Sequence, residues 1–186
     1  MNSEVLKAKQ VLKQNGIIIY PTDTIWGIGC DATNKVAVAK IYKLKQRTET
    51  KSLIVLVDSW VMLEEYISKI PAKVSCIITG SSKPTSVVYD NPKGLAKNVI
   101  ANDNTVAIRI VKDEFCKALI HQFGKPIVST SANVSGKSAP KSFDEIEVSL
   151  LNKADYVVNL HREKTQKTAS QIVKVDSSGK IEFIRK

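Results

Sequence analysis

The stretch Lys125-Pro126-Ile127-Val128-Ser129-Thr130-Ser131-Ala132-Asn133-Val134-Ser135-Gly136 is a short apolar strand that empties into small hydroxyl and amide side chains. Apolar and β-branched residues favour an extended, buried segment. The change to Ser, Thr and Asn ends that burial while keeping the backbone close to whatever lies above it. A second segment repeats the design: Ile17-Ile18-Ile19-Tyr20 runs into Pro21-Thr22-Asp23-Thr24 and then Ile25-Trp26-Gly27-Ile28-Gly29. Two buried strands that end in polar loops predict two walls of one cleft, the place where open α/β sheets bind ligands.

The elements between these walls alternate. A helix from a Ser3 cap through Gln14 is stopped by Asn15-Gly16, and Asn34 caps a second helix that ends near Lys45. Leu53-Ile54-Val55-Leu56-Val57 has no solvent face and predicts a buried strand. Asp58 or Ser59 opens a helix through Trp60, Leu63 and Ile67, and Pro71 suits the first position of the next, toward Ile78. Strands at Thr85–Tyr89 and Thr105–Ile110 are separated by the turn residues Asp90-Asn91-Pro92-Lys93-Gly94. A helix over 113–123 stops at Gly124, and Ser142 with Glu145 makes a capping box for a short helix. Strands near Tyr156-Val157-Val158, Ser170–Val175 and Ile181–Ile184 follow, the last two joined across Asp176-Ser177-Ser178-Gly179 as a hairpin. Strands alternate with helices early and pair with each other late, so the expectation is a twisted mixed β-sheet flanked by helices, in one domain over residues 1–186.

Composition narrows the class. Of 186 residues, 43% are hydrophobic and 25% charged, an ordinary globular balance, and no apolar run reaches the length of a bilayer span. Met1-Asn2-Ser3-Glu4 lacks the basic-then-apolar pattern of a secretory signal, which makes the cytoplasm the expected location and a membrane partner unexpected. Cys30, Cys76 and Cys116 stand far apart and read as plain thiols in or near the core, with no metal-ligating spacing. His121 falls in the 113–123 helix as a partly exposed residue, so no histidine-based triad is indicated. The net charge of +10 points to anionic partners without choosing among them. With only 6% aromatic residues, base-stacking motifs for reading RNA are missing.

Four groups of polar residues fall where loops meet strand ends: Thr22 with Thr24; Lys45, Arg47 and Lys51; Ser129, Ser131 and Asn133; and Arg109. Arg109 interrupts the apolar Val106-Ala107-Ile108-Arg109-Ile110. It either faces water from an edge strand or, if buried, needs a counter-ion that a bound carboxylate or phosphate could supply. Lys45 and Arg47 either belong to a solvated run with Lys40 and Lys43 or close on a polyphosphate. Gly27-Ile28-Gly29 lacks the third glycine of a dinucleotide fingerprint, and no Walker-type loop is present.

Tyr20-Pro21-Thr22-Asp23-Thr24-Ile25-Trp26-Gly27-Ile28-Gly29, Ile41–Arg47, Thr105–Arg109, Ser129-Thr130-Ser131-Ala132-Asn133 and Ser170–Val173, in this order over nearly the whole chain, resemble the YrdC-like family of threonylcarbamoyl-AMP synthases. The resemblance implies a YrdC-like fold with a concave basic cleft. It also implies a nucleotidyltransferase that makes threonylcarbamoyl-AMP and pyrophosphate from L-threonine, bicarbonate and ATP, for N6-threonylcarbamoyladenosine formation in tRNA. Carried onto this sequence, Lys45, Arg47, Ser131 and Asn133 match the family's central polar tetrad. Arg47, Lys51, Thr105, Ser131, Ala139 and Arg185 match its ATP set, the alanine through its backbone. Thr24, Arg109, Ser129 and Ser170 match its threonine set. Mg2+ would arrive with the ATP, no tightly bound organic cofactor is implied, and downstream tRNA-modification proteins would be partners, with tRNA or structured RNA as a further one. The resemblance is to the short form, without an extra C-terminal domain. Thr48 stands where the family often has proline, and Leu56 where some longer members have histidine. The competing expectation is a non-catalytic module that holds structured RNA on the basic concave face.

Overall fold

The computed structural model describes residues 1–47, 53–165, 169–175 and 180–185. Within them one sheet of nine strands runs in the order β7-β1-β2-β6-β3-β5-β4-β8-β9, where β1 is Ile18–Tyr20, β2 Gly27–Gly29, β3 Ile54–Val57, β4 Thr85–Asp90, β5 Thr105–Ile110, β6 Ile127–Ser131, β7 Tyr156–Val157, β8 Gln171–Val175 and β9 Ile181–Arg185. Strand pairs β1–β7, β3–β5 and β4–β8 are parallel and the other five antiparallel, which is the mixed sheet that the strand spacing implies. Helices α1 (Asn2–Lys13), α2 (Lys35–Lys45), α3 (Trp60–Tyr66), α4 (Lys73–Gly80), α5 (Glu114–Phe123) and α6 (Val148–Leu151) flank it. α1 packs along α5, and α3 and α5 lie against β3. The core that results is continuous, with Val5, Leu12, Ile18, Trp26, Ile41, Leu56, Leu63, Phe115 and Ile127 at most 1% exposed.

Local chemistry sets most boundaries. The Asn34 amide oxygen accepts from the backbone N–H groups of Val36 and Ala37, the Ser59 hydroxyl from Met62 and the Asp113 carboxylate from Cys116, each satisfying donors that a helix start leaves open. Gly124 ends α5 in the left-handed region at φ 76°, where a side chain is disfavoured. Other expectations shift. α1 starts two residues earlier than a Ser3 cap implies, with Met1 in the cap position and no side-chain bond there. α4 starts at Lys73, so Pro71 lies ahead of it, and its backbone carbonyl accepts from the Val74 N–H. Ser142 makes no cap bond: Phe143–Glu145 is a single 3-10 turn, and Glu145 instead accepts from the Lys141 N–H. Cys30 and Cys116 are buried but Cys76 is exposed on α4. The expected 176–179 hairpin loop lies outside the described residues.

β2 carries no strand signal in its sequence, since two of its three residues are glycine. The sheet nonetheless needs a strand there, and it needs glycine. A Cβ on Gly29 would sit 2.7 Å from the Tyr20 ring and 2.7 Å from the Val128 carbonyl oxygen. That close approach lets Tyr20 lie beneath β2 with its hydroxyl 3.4 Å from the same carbonyl. Gly29→Ala should therefore cost about 2 kcal/mol through overpacking, read as a lower urea midpoint with an unchanged m-value.

Candidate active site

A cavity of ≈ 290 Å³ opens where β2, β6, β3, β5 and β8 present their ends and faces. Eight of the residues singled out in the sequence line it: Thr24, Arg47, Arg109, Ser129, Ser131, Ala139, Ser170 and Arg185. Ile25, Gly27, Leu53, Ile54 and Ile172 complete much of the wall. The segments that supply these groups are up to 161 positions apart in the chain (185 − 24), and only the sheet order brings them together.

Arg109 sits in β5, an interior strand between β3 and β4, and is 3% exposed, which removes the edge-strand alternative. Its counter-ion is internal: Nη2 lies 2.9 Å from the Asp23 carboxylate. Asp23 belongs to the loop between β1 and β2 and is the functional-site residue that reading the sequence did not single out. The signal was present, since a buried guanidinium demands a carboxylate and the Pro-Thr-Asp-Thr loop holds one. The Nε of Arg109 is buried without a hydrogen-bond partner among the described residues, and the residue itself lines the cavity.

Thr22 and Thr24 organise the same loop. The Thr22 hydroxyl donates to the Ile25 carbonyl at 2.8 Å and accepts from the Thr24 N–H at 3.0 Å, and the two hydroxyl oxygens are 2.9 Å apart. On the opposite side, Ser170 is buried. Arg185 donates through Nε to its carbonyl at 2.9 Å and through Nη2 to its hydroxyl at 3.2 Å. β9 reaches this position by a bulge: Ile172 pairs with Arg185 and Val173 with Phe183, so Ile184 has no opposite number and Arg185 turns to the cavity face beside Ile172. Burial, and then the Arg109 charge, draw Arg185 below the ordinary arginine value. Burial likewise lowers Arg47.

Lys45 and Asn133 stand one layer behind the wall. Lys45 closes α2 and is 1% exposed, so neither a solvated run nor an open loop describes it. Its ammonium donates to the backbone carbonyls of Ser131 and Asn133 and, at 3.4 Å, to the Asn133 amide oxygen. Asn133 in turn accepts from the Ser131 hydroxyl and donates to the Lys137 carbonyl at 2.6 Å, and the Ser135 N–H donates back to the Lys45 carbonyl at 2.9 Å. Farther along, Phe143 packs against Trp26 at a 60° tilt with ring centroids 5.1 Å apart and holds the far end of this loop. Gln46, left-handed at φ 51°, ends α2 and sends the chain toward Arg47. Thr105 is not brought to the cavity: it pairs with Asp90 at the start of β5 and donates its hydroxyl to Asp103 at 2.7 Å. Leu56 is buried and absent from the wall, and Lys51 lies outside the described residues. His121, on the outer face, is 81% exposed and 3.1 Å from Asp58.

Fold and cavity together define an α/β protein that gathers three arginines and several hydroxyls around one small-molecule site. The chain belongs to the Sua5/YciO/YrdC family, described as "Telomere recombination", whose profile matches residues 10–186. A threonylcarbamoyl-AMP synthase of Pseudoalteromonas translucida (strain TAC 125) is 34% identical over 161 residues, covering 84% of this chain and 86% of its own. Escherichia coli YciO has the same fold at a TM-score of 0.85 and 18% identity, over 100% of this chain and 90% of that one. P. abyssi Sua5 complexed with L-threonine superposes at a TM-score of 0.82 and 23% identity, over 91% of this chain, which spans 50% of that longer one.

Two outcomes follow from the buried charges. Asp23→Ala leaves the Arg109 guanidinium uncompensated and should lower stability by about 3 kcal/mol in chemical denaturation. Burial, and then the Arg47 charge, pull the Lys45 amine down from 10.5 to about 7, against the oxygens that favour its charged form. Between those values the unfolded chain holds the proton more firmly, so the contribution of Lys45 to stability rises with pH from about 7 to 10.5 and is lost below about 7. The stability difference between wild type and Lys45→Met, measured across that range, should grow in favour of wild type as pH rises.

Proposed function

We propose that this chain is a cytoplasmic L-threonylcarbamoyladenylate synthase, a nucleotidyltransferase that consumes L-threonine, bicarbonate and ATP and releases pyrophosphate. The observation that carries the reading is the convergence of Arg47, Arg109 and Arg185 with Thr24, Ser129, Ser131 and Ser170 on one cavity. It offers charge neutralisation and directional donors for two anionic substrates. Family membership and the name of the 34%-identical relative support the same reaction, and a chain of this fold holds L-threonine.

In this reading the Arg109 guanidinium receives the threonine carboxylate, with Thr24, Ser129 and Ser170 around the amino acid. The amine and bicarbonate condense to a carbamate with loss of water. A carbamate oxygen then attacks the α-phosphorus while the bond to pyrophosphate breaks. No side-chain nucleophile is required, and the protein contributes alignment and electrostatic stabilisation. Arg47, Arg185, Ser131 and the Ala139 backbone face the nucleotide, and Lys45 acts through the Ser131–Asn133 loop whose oxygens it holds. Mg2+ would come on the phosphates of ATP, the usual route for this ion to a nucleotide site. The adenylate would pass to proteins that modify tRNA. No described helix is long and apolar enough to cross a membrane.

Purified protein with ATP and magnesium should release pyrophosphate only when L-threonine and bicarbonate are both present, and Arg47→Ala should reduce that rate by at least about 100-fold. Pyrophosphate release indifferent to threonine would overturn the reading.

A further inference from the structure

Ser86, in β4, is 0% exposed and does not line the cavity, and its hydroxyl has a single hydrogen-bond partner among the described residues, the Ser170 hydroxyl at 3.0 Å. A serine hydroxyl carries one donor and two acceptor sites. One acceptor site of Ser170 is taken by Arg185 Nη2, which can only donate. The direction of the Ser86–Ser170 bond is then decided by burial. Were Ser170 to donate, the Ser86 proton would be left without an acceptor in a site closed to water; with Ser86 donating, the proton left over is that of Ser170, which lines the cavity and can be met there. Both acceptor sites of Ser170 are thereby filled, and its own O–H has only the cavity to point into.

The strand register adds a second constraint. Val87 pairs with Ile108, and one step further along the same antiparallel ladder Ser86 stands across from Arg109. Arg109 in β5 and Ser170 just ahead of β8 thus flank β4 from either side, and both residues line the same cavity, where the Ser170 proton and the Arg109 guanidinium are neighbouring donors. Two donors side by side suit the two oxygens of a carboxylate and reject an ammonium or amide N–H.

We propose that Ser86 is a positioning residue that locks Ser170 as a hydrogen-bond donor toward the carboxylate of the amino-acid substrate. The inference rests on the synthase reading. Ser86 touches no substrate and acts through Ser170 alone, by denying its hydroxyl the alternative of turning inward to donate.

The test is a double-mutant cycle read in pyrophosphate release and in calorimetric binding of L-threonine. Ser86→Ala should raise the KM and Kd for L-threonine about five- to tenfold, the scale of one hydrogen bond, while kcat and the KM for ATP stay within about twofold. Ser86→Thr, which keeps the hydroxyl, should retain the wild-type KM wherever its thermal midpoint shows it folded. Ser170→Ala should weaken L-threonine at least as much as Ser86→Ala, and adding Ser86→Ala to it should cost nothing more. An unchanged threonine KM in folded Ser86→Ala, or additive losses in the double variant, would overturn the role of Ser86 while leaving the synthase reading intact. Absence of threonine-dependent turnover in the wild type would instead overturn that reading and the inference with it.

Discussion

The structure turns on a guanidinium placed inside a sheet. Arg109 lies in an interior strand with apolar neighbours on either side, and burying such a charge is tolerable only if a carboxylate accompanies it. Asp23 does so from the middle of the β1–β2 connection, at 2.9 Å. That single requirement fixes where the Pro21–Thr24 loop must lie, and with it the start of β2 and the Thr24 wall of the cavity. It also keeps an arginine, with donors to spare, at the floor of a site that other elements surround.

A second cation performs the same service for the opposite wall. The Lys45 ammonium is held among oxygens of the Ser131–Asn133 loop rather than exposed to ligand. The polar run after β6 would otherwise have no apolar reason to adopt one conformation, because small hydroxyl and amide side chains bury little surface. Tying its carbonyls to the last residue of α2 supplies that reason and places Arg47, two residues on, at the cavity. The site is thus framed by buried cations that hold the loops and by Arg47 and Arg185, which line the cavity.

Much of this could be read in advance. The caps Asn34, Ser59 and Asp113 and the stop at Gly124 were legible because they act within a few residues. The strands at β3, β5 and β6 were legible because runs of buried apolar residues have one economical conformation. Ser3 and Pro71 misled because α1 and α4 start two residues away from the expected places, and the Ser142–Glu145 pair because Ser142 precedes a single 3-10 turn without bonding to it. β2 was illegible, because Gly-Ile-Gly is a strand only by virtue of the Tyr20 ring and the β6 backbone that press on it.

By itself the sequence determined the mixed α/β class and the two polar loops that end buried strands, and it marked eight residues that share one cavity. The class and the loops follow from periodicity, and Thr24, Arg47, Arg109, Ser129 and Ser131 from residue types that suit anionic ligands, whereas Ala139, Ser170 and Arg185 were marked only by the family resemblance. Only the tertiary structure decided that Asp23 is the partner of Arg109, that Lys45 faces the protein rather than the ligand, that Thr105 stands apart, and that Ser86 lies beneath Ser170. Those outcomes depend on strand order, register and one bulge, and contacts between residues 86, 88 or 84 positions apart leave no local trace in the chain.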